Sequence, residues 1–224
     1  MHVGIGAKLP RLRHNQHPMN PTTIYLIRHA QSAPSADTDN ADWPLSERGT
    51  EQAATLVELL VPLGIEHLYS SPYTRCLQTI APFVERTGLP VTTVDDLREM
   101  TIVSGFVDDF DAAWRGVWED FDYRRPGCES SNDAQRRFVA AVEAAAGESA
   151  GRTIGISAHG MVIGLFLHHL DSSFGRLETE ALTNPDVIRI VVAEGRFTWD
   201  CAFHLHGLDE IASHHDDTAY EDGA

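Results

Sequence analysis

Short apolar runs that alternate with helically spaced apolar residues constrain this chain more than any other feature. Ile24-Tyr25-Leu26-Ile27 is a run of the kind shown by a strand covered on both faces. Ser46 can cap a helix in which Ala53, Leu56, Val57 and Leu60 fall at i, i+3, i+4 and i+7. Residues 65–69 read as a second strand. Ser71-Pro72 reads as an N-cap and first-turn pair. The helix it opens carries Leu77, Ile80, Ala81 and Val84 on one face, is kinked at Pro82 and stops at Gly88. Residues 91–97 form a third strand, and Asn132 or Asp133 starts a helix with Phe138, Ala141, Val142 and Ala145 on one face. Residues 153–157 form a fourth strand, and 161–170 are apolar nearly all round, as a buried helix is. Residues 187–192 and 197–203 read as a terminal strand pair joined at Glu194-Gly195. This alternation predicts an α/β fold with a mostly parallel sheet.

The 224 residues suffice for one domain with tails. Residues 1–22 read as a disordered leader, 23–208 as a single α/β domain and 209–224 as an acidic tail. Translation from Met19 would remove most of the leader. Residues 100–128 break the rhythm with Phe106, Phe110, Trp114, Trp118, Phe121 and Tyr123 among many acids, and read as a helical insert or lid. The chain has 17 basic and 33 acidic residues, a net charge of −16. That balance argues against nucleic-acid and anionic-membrane partners, and a small anionic substrate would have to be held by local arginines. Lys8 is the only lysine. Cys76, Cys128 and Cys201 are sparse and lack CxxC spacing, which fits a reducing cytoplasm. No run approaches the roughly 18 apolar residues of a membrane span, and residues 1–18 lack the apolar core of a signal peptide. The sequence leaves a homodimer open.

In open α/β sheets, ligands bind beyond the carboxyl ends of the strands. The residues that follow the apolar runs are Arg28-His29-Ala30-Gln31-Ser32, Ser70-Ser71-Pro72-Tyr73-Thr74-Arg75, Arg98-Glu99 and Ala158-His159-Gly160. Two histidines, two or three arginines and one carboxylate would meet at one edge. Such a set suits an anion with an oxygen-rich transition state. It does not suit a metal, because arginine is not a ligand and no HxH or HExxH pattern lies there. His168 and His169, adjacent on a helix, face different directions, and the strand pair His204/His206 has no third ligand in sight, so neither a metal nor a cofactor is expected.

Leu26-Ile27-Arg28-His29-Ala30-Gln31-Ser32 resembles the RHG signature of the histidine phosphatase superfamily, the phosphoglycerate-mutase-like enzymes. Leu45-Ser46-Glu47-Arg48-Gly49 resembles its LTxxG helix start, and Ser70 to Arg75 with Thr79 its SSPxxRxxxT segment. Leu97-Arg98-Glu99 resembles the LxE acid segment and Ser157-Ala158-His159-Gly160 the SHG segment. Glu129-Ser130 resembles the GGES helix start. The likeness runs from about residue 23 to 205 in the family's order. It implies a three-layer sandwich with helices on both faces of the sheet.

The resemblance also implies a metal-independent phosphomonoesterase that acts on a small phosphorylated metabolite through a phosphohistidine. His29 is then the nucleophile. Arg28, Arg75 and His159 grip the non-bridging oxygens, and Ser32 adds a hydroxyl contact. Glu99 protonates the leaving oxygen and then deprotonates water, which requires a pKa above the ordinary value of about 4.3. Glu129 and Asp96 are its rivals. Arg124 and Arg125 are either a solvated pair or a contact to a second acidic group on the substrate. Ala30 departs from the usual Gly, and Ser35 stands where the mutases carry Asn. A 2,3-bisphosphoglycerate-dependent phosphoglycerate mutase and a phosphohistidine or phosphoprotein phosphatase are the alternative readings.

Overall fold

The computed structural model describes residues 20–104 and 109–213. Its strands are β1 (Thr22–Arg28), β2 (His67–Ser70), β3 (Val91–Thr93), β4 (Thr153–Ala158), β5 (Asp186–Ala193) and β6 (Arg196–Trp199). They form one sheet in the order β3-β2-β4-β1-β5-β6. β1, β2, β3 and β4 pair in parallel, β5 runs antiparallel to β1, and β6 antiparallel to β5. The helices are α1 (Glu47–Leu60), α2 (Thr74–Thr87), α3 (Phe110–Glu119), α4 (Ser131–Glu148), α5 (Gly160–Leu170), α6 (Arg176–Glu180) and α7 (Leu208–Ile211).

The two-residue period of β1 sends its side chains into two cores. Ile24 and Leu26 join Phe138 and Val142 of α4 and Met161 to Leu167 of α5 on one face. Tyr25 and Ile27 join Leu56, Val57 and Leu60 of α1 with Ile80 and Phe83 of α2 on the other. The result is the mostly parallel α/β sheet that the alternation predicts, with helices on both faces as the resemblance implies.

Several local expectations need correction. Helix α2 begins at Thr74 with Tyr73 as its N-cap, two residues later than expected, and the Ser71 hydroxyl lies 2.8 Å from His159 Nε2 instead of capping the helix. Its buried face is Arg75, Cys76, Thr79, Ile80 and Phe83, and Leu77 stays 36% exposed. Two polar residues needed at the sheet edge therefore displace the apolar stripe by one position. β3 ends at Thr93, where residues 95–97 turn in a 3-10 helix. β6 ends at Trp199, where Asp200 pairs with Arg189 and its carboxylate closes a turn by accepting from the Ala202 N–H at 3.2 Å. Ser130 rather than Asn132 or Asp133 caps α4, accepting from the Asp133 N–H at 3.2 Å.

Residues 1–19 of the expected leader and 214–224 of the expected tail lie outside the described residues. Thr22, the last residue assigned to the leader, already pairs with Val192. Residues 209–213, assigned to the tail, are held by α7 and by a bridge in which Ser213 and Asn184 exchange backbone hydrogen bonds of 2.7 and 2.9 Å.

Gly49 fixes the loop after β1. The Ser46 hydroxyl caps α1 by accepting from the Gly49 N–H at 2.9 Å, while the Ser46 N–H donates to the Gln31 carbonyl at 3.0 Å. A Cβ at Gly49 would lie 1.9 Å from that carbonyl oxygen. Gly49→Ala is expected to lower stability by about 3 kcal/mol in urea unfolding. A loss below about 0.5 kcal/mol would show that the loop is not tied to α1 in this way.

Candidate active site

The parallel strands deliver their carboxyl ends to one edge, as open sheets of this class do. Arg28 ends β1 with His29 next, Ser70 ends β2 with Ser71 next, and Ala158 ends β4 with His159 next. The turn after β3 brings Glu99 to the same edge. A cavity of about 200 Å³ opens there, and Arg28, His29, Ser32, Arg75 and Glu99 all line it.

His29 is held from both sides of its ring and through its backbone. Its Nδ1 lies 2.7 Å from the Ala30 carbonyl, which can only accept, so Nδ1 carries the proton and Nε2 the lone pair. Arg75 Nε–H donates to that Nε2 at 3.2 Å. The His29 carbonyl accepts from Asn184 Nδ2 at 2.8 Å, and the Ala30 N–H donates to Thr79 Oγ1 at 2.9 Å. Gln52 extends the frame, accepting from the Gln31 N–H and donating to the Asn184 carbonyl, at 2.9 and 2.8 Å. Ala30 is fully buried, so its methyl group is accommodated where the family has Gly.

Two guanidinium groups flank the ring, and both are largely buried. Arg28 donates to the Leu182 carbonyl at 2.5 Å and lies over Gly160, where a Cβ would come within 3.0 Å of its Cζ. Arg75 donates to the Asn40 carbonyl at 2.7 Å and sits over the rings of Tyr73 and Trp43, 5.0 and 5.9 Å from their centroids. Such stacking fixes the planar fork without neutralising its charge.

His159 does not line the cavity. It is fully buried, 5.3 Å from the His29 ring centroid to centroid, with its Nε2 2.8 Å from Ser71 Oγ and 3.4 Å from Cys76 Sγ. Burial, then the nearby Arg75 and His29, hold its pKa well below the ordinary imidazole value, so it stays neutral. Burial likewise pushes the Cys76 thiol up to about 12.

Glu99 keeps some surface toward the cavity, but its carboxyl lies deep, against the first turn of α5. It accepts from the backbone N–H groups of Met100, Met161 and Val162 at 2.8, 3.1 and 3.2 Å. Burial raises its pKa, and these donors with Arg75 only partly offset that. Its rivals are engaged elsewhere. Asp96 is exposed and pairs with Arg98, and Glu129 pairs with Arg137 at 2.7 Å. Neither lines the cavity.

Sequence reasoning missed Arg137. Its guanidinium meets both oxygens of Glu129 at 2.7 Å and donates to the carbonyls of Asp96, Arg98 and Glu99 at 2.9, 2.8 and 3.1 Å. One side chain on α4 thus pins the backbone that carries Glu99. Asn184, Gln52, Trp43 and Asn40 were also missed. Arg124 donates to Asp133 at 3.3 Å, and neither it nor Arg125 lines the cavity.

The model of the histidine phosphatase superfamily, branch 1, matches residues 24–203. The chain belongs to that superfamily. A Yersinia pestis protein named "Probable phosphoglycerate mutase GpmB" is 29% identical over 158 residues, 66% of this chain and 74% of that protein. The Schizosaccharomyces pombe protein "Probable phosphatase C1687.21" is 35% identical over 80 residues, and the match spans only 38% of its length. Among solved structures, "Mycobacterial hydrolase 2" is 26% identical with a TM-score of 0.67, covering 81% of this chain and 90% of its own. A mycobacterial glucosyl-3-phosphoglycerate phosphatase with inorganic phosphate is 25% identical with a TM-score of 0.62, covering 80% and 95%. No helix among the described residues is long and apolar enough to cross a membrane.

The raised pKa of Glu99 has a sign that stability can read. Its carboxylate is penalised in the folded state, so the penalty grows as pH rises from the unfolded value of about 4.3 through the higher folded value. Glu99→Gln is therefore expected to gain stability relative to the parent chain across that window and to keep the gain at pH 8. Unfolding of both chains in urea at a series of pH values measures the difference. A difference that does not change with pH would contradict the buried-acid assignment.

Proposed function

We propose that this superfamily member is a metal-independent phosphomonoesterase that hydrolyses a small phosphorylated compound through a phosphohistidine at His29. The supporting observation is the His29 tautomer: a proton fixed on Nδ1 by the Ala30 carbonyl and a lone pair on Nε2 in the cavity wall. An imidazole arranged in this way is a nucleophile that needs no further deprotonation.

In the first step Nε2 attacks phosphorus, the ester P–O bond breaks, and Glu99 gives its proton to the departing oxygen. In the second step the Glu99 carboxylate takes a proton from water, the oxygen attacks phosphorus, and the P–N bond breaks. Arg28 and Arg75 hold the non-bridging oxygens as charge builds on them, with Ser32 at the rim. His159 backs the nucleophile as a neutral ring, packed 5.3 Å from it between ring centroids.

Phosphatase rather than mutase is the reading we favour. A bisphosphoglycerate-dependent exchange must hold a second anionic group, and among the described residues Arg28 and Arg75 are the only Lys or Arg side chains that line the cavity. The insert supports a small substrate rather than a protein, because Phe110 and Trp114 of α3 wall the cavity.

Hydrolysis of p-nitrophenyl phosphate is expected to persist in excess EDTA. His29→Ala is expected to lose at least about a thousandfold. Activity abolished by EDTA, or retained by His29→Ala, would overturn this function.

A further inference from the structure

We propose that the apolar part of the cavity takes a flat apolar leaving group, such as an arylalkyl alcohol, and rejects an alcohol that carries a second anion. This inference rests on the phosphatase reading for its chemistry, but its selectivity stands on the cavity alone.

The cavity lining is of two kinds. Arg28 and Arg75 supply its positive charge beside His29. Met100, Ile102, Phe110, Trp114 and Met161 supply an apolar part. Phe110 and Trp114 stack on successive turns' edges of α3, 6.2 Å between centroids at 25°. Such a surface offers a ring both contact area and thioether contacts from the two methionines.

The charged groups that accompany the apolar part are acidic: Asp111 follows Phe110, Glu180 bonds Trp114, and both line the cavity. Glu180 is fixed by Trp114, whose indole N–H donates to it at 2.7 Å, and by Arg176 at 2.6 Å. The Trp114 bond ties α3 to α6, and the Arg176 guanidinium is engaged by the same carboxylate. The sequence from residue 99 to 114 contains no Lys or Arg. Arg124 and Arg125, the pair that the sequence offered for a second acidic group, do not line the cavity. A carboxylate or second phosphate on the alcohol would therefore lose its hydration against apolar side chains and meet carboxylates instead of a cation.

The test separates binding from turnover. Titration calorimetry of the full chain would compare 3-phenylpropylphosphonate with 3-phosphonopropionate, which carry the same phosphonate and differ at the far end. The apolar ligand is expected to bind at least tenfold more tightly. Trp114→Ala is expected to shrink that ratio several-fold, and Trp114→Phe to restore most of it. Equal affinities, tighter binding of the carboxylated ligand, or a ratio unmoved by Trp114→Ala would overturn the proposal. In parallel, 2-phenylethyl phosphate and 3-phosphoglycerate, esters of alcohols without an activated leaving group, would be assayed for hydrolysis. Selective binding with no hydrolysis of either ester or of p-nitrophenyl phosphate would sink the phosphatase reading and leave the pocket reading standing. Hydrolysis of 3-phosphoglycerate as efficient as that of 2-phenylethyl phosphate would sink the pocket reading alone.

Discussion

The hydrogen bond from His29 Nδ1 to the Ala30 carbonyl is the constraint on which the rest of the site depends. It selects one tautomer and aims the lone pair of Nε2 at Arg75 and the cavity. The bond is useful only because the backbone around it cannot shift. Asn184 holds the His29 carbonyl, Thr79 holds the Ala30 N–H, and Gln52 links the next residue to the C-terminal segment. The frame is drawn from the turn after β1, from α1 and α2, from the segment that precedes β5 and from α7, so the fold and the His29 ring are held together.

Burial then sorts the charges. Two guanidinium groups at the sheet edge cannot lose their protons, so the site stays positive and favours an anion. His159, deep behind them, responds by staying neutral, and Cys76 keeps its thiol proton. Glu99 responds in the opposite direction, because desolvation penalises its charged form. A carboxyl group pushed toward its neutral form and a fixed imidazole lone pair, lining one cavity, are the pairing that general-acid and nucleophilic roles call for. Around it, the partly buried Glu129–Arg137 pair directs its hydrogen bonds to the backbone of residues 96–101 rather than to substrate. Breaking such a pair would leave a poorly solvated charge next to the acid.

Much of this was legible in the sequence for a physical reason. Residues that follow a parallel strand land at one edge whatever the details of packing, so Arg28, His29, Arg75, Glu99 and His159 could be gathered without coordinates. Ser46 was legible as a cap, whereas Gly49 was marked only by the motif resemblance, and its close approach to the Gln31 carbonyl is a property of the fold. The stripe of α2 misled, since pattern reading equates burial with apolarity while Arg75 and Thr79 are buried for the site. The choice of Glu99 over Glu129 depended on Arg137, a residue 38 positions from Glu99 on a helix whose apolar pattern says nothing about it. Asn184 and Gln52 were hidden for the same reason, as their partners are more than a hundred residues apart.

The central claim is that His29 carries the phosphoryl group. Rapid mixing of the full chain with ³²P-labelled p-nitrophenyl phosphate, an alkaline quench and peptide mapping address it most directly. The account predicts label on the peptide that contains His29, stable in alkali, lost in acid and absent from His29→Ala. Turnover without any labelled protein, or label on a different residue, would contradict it.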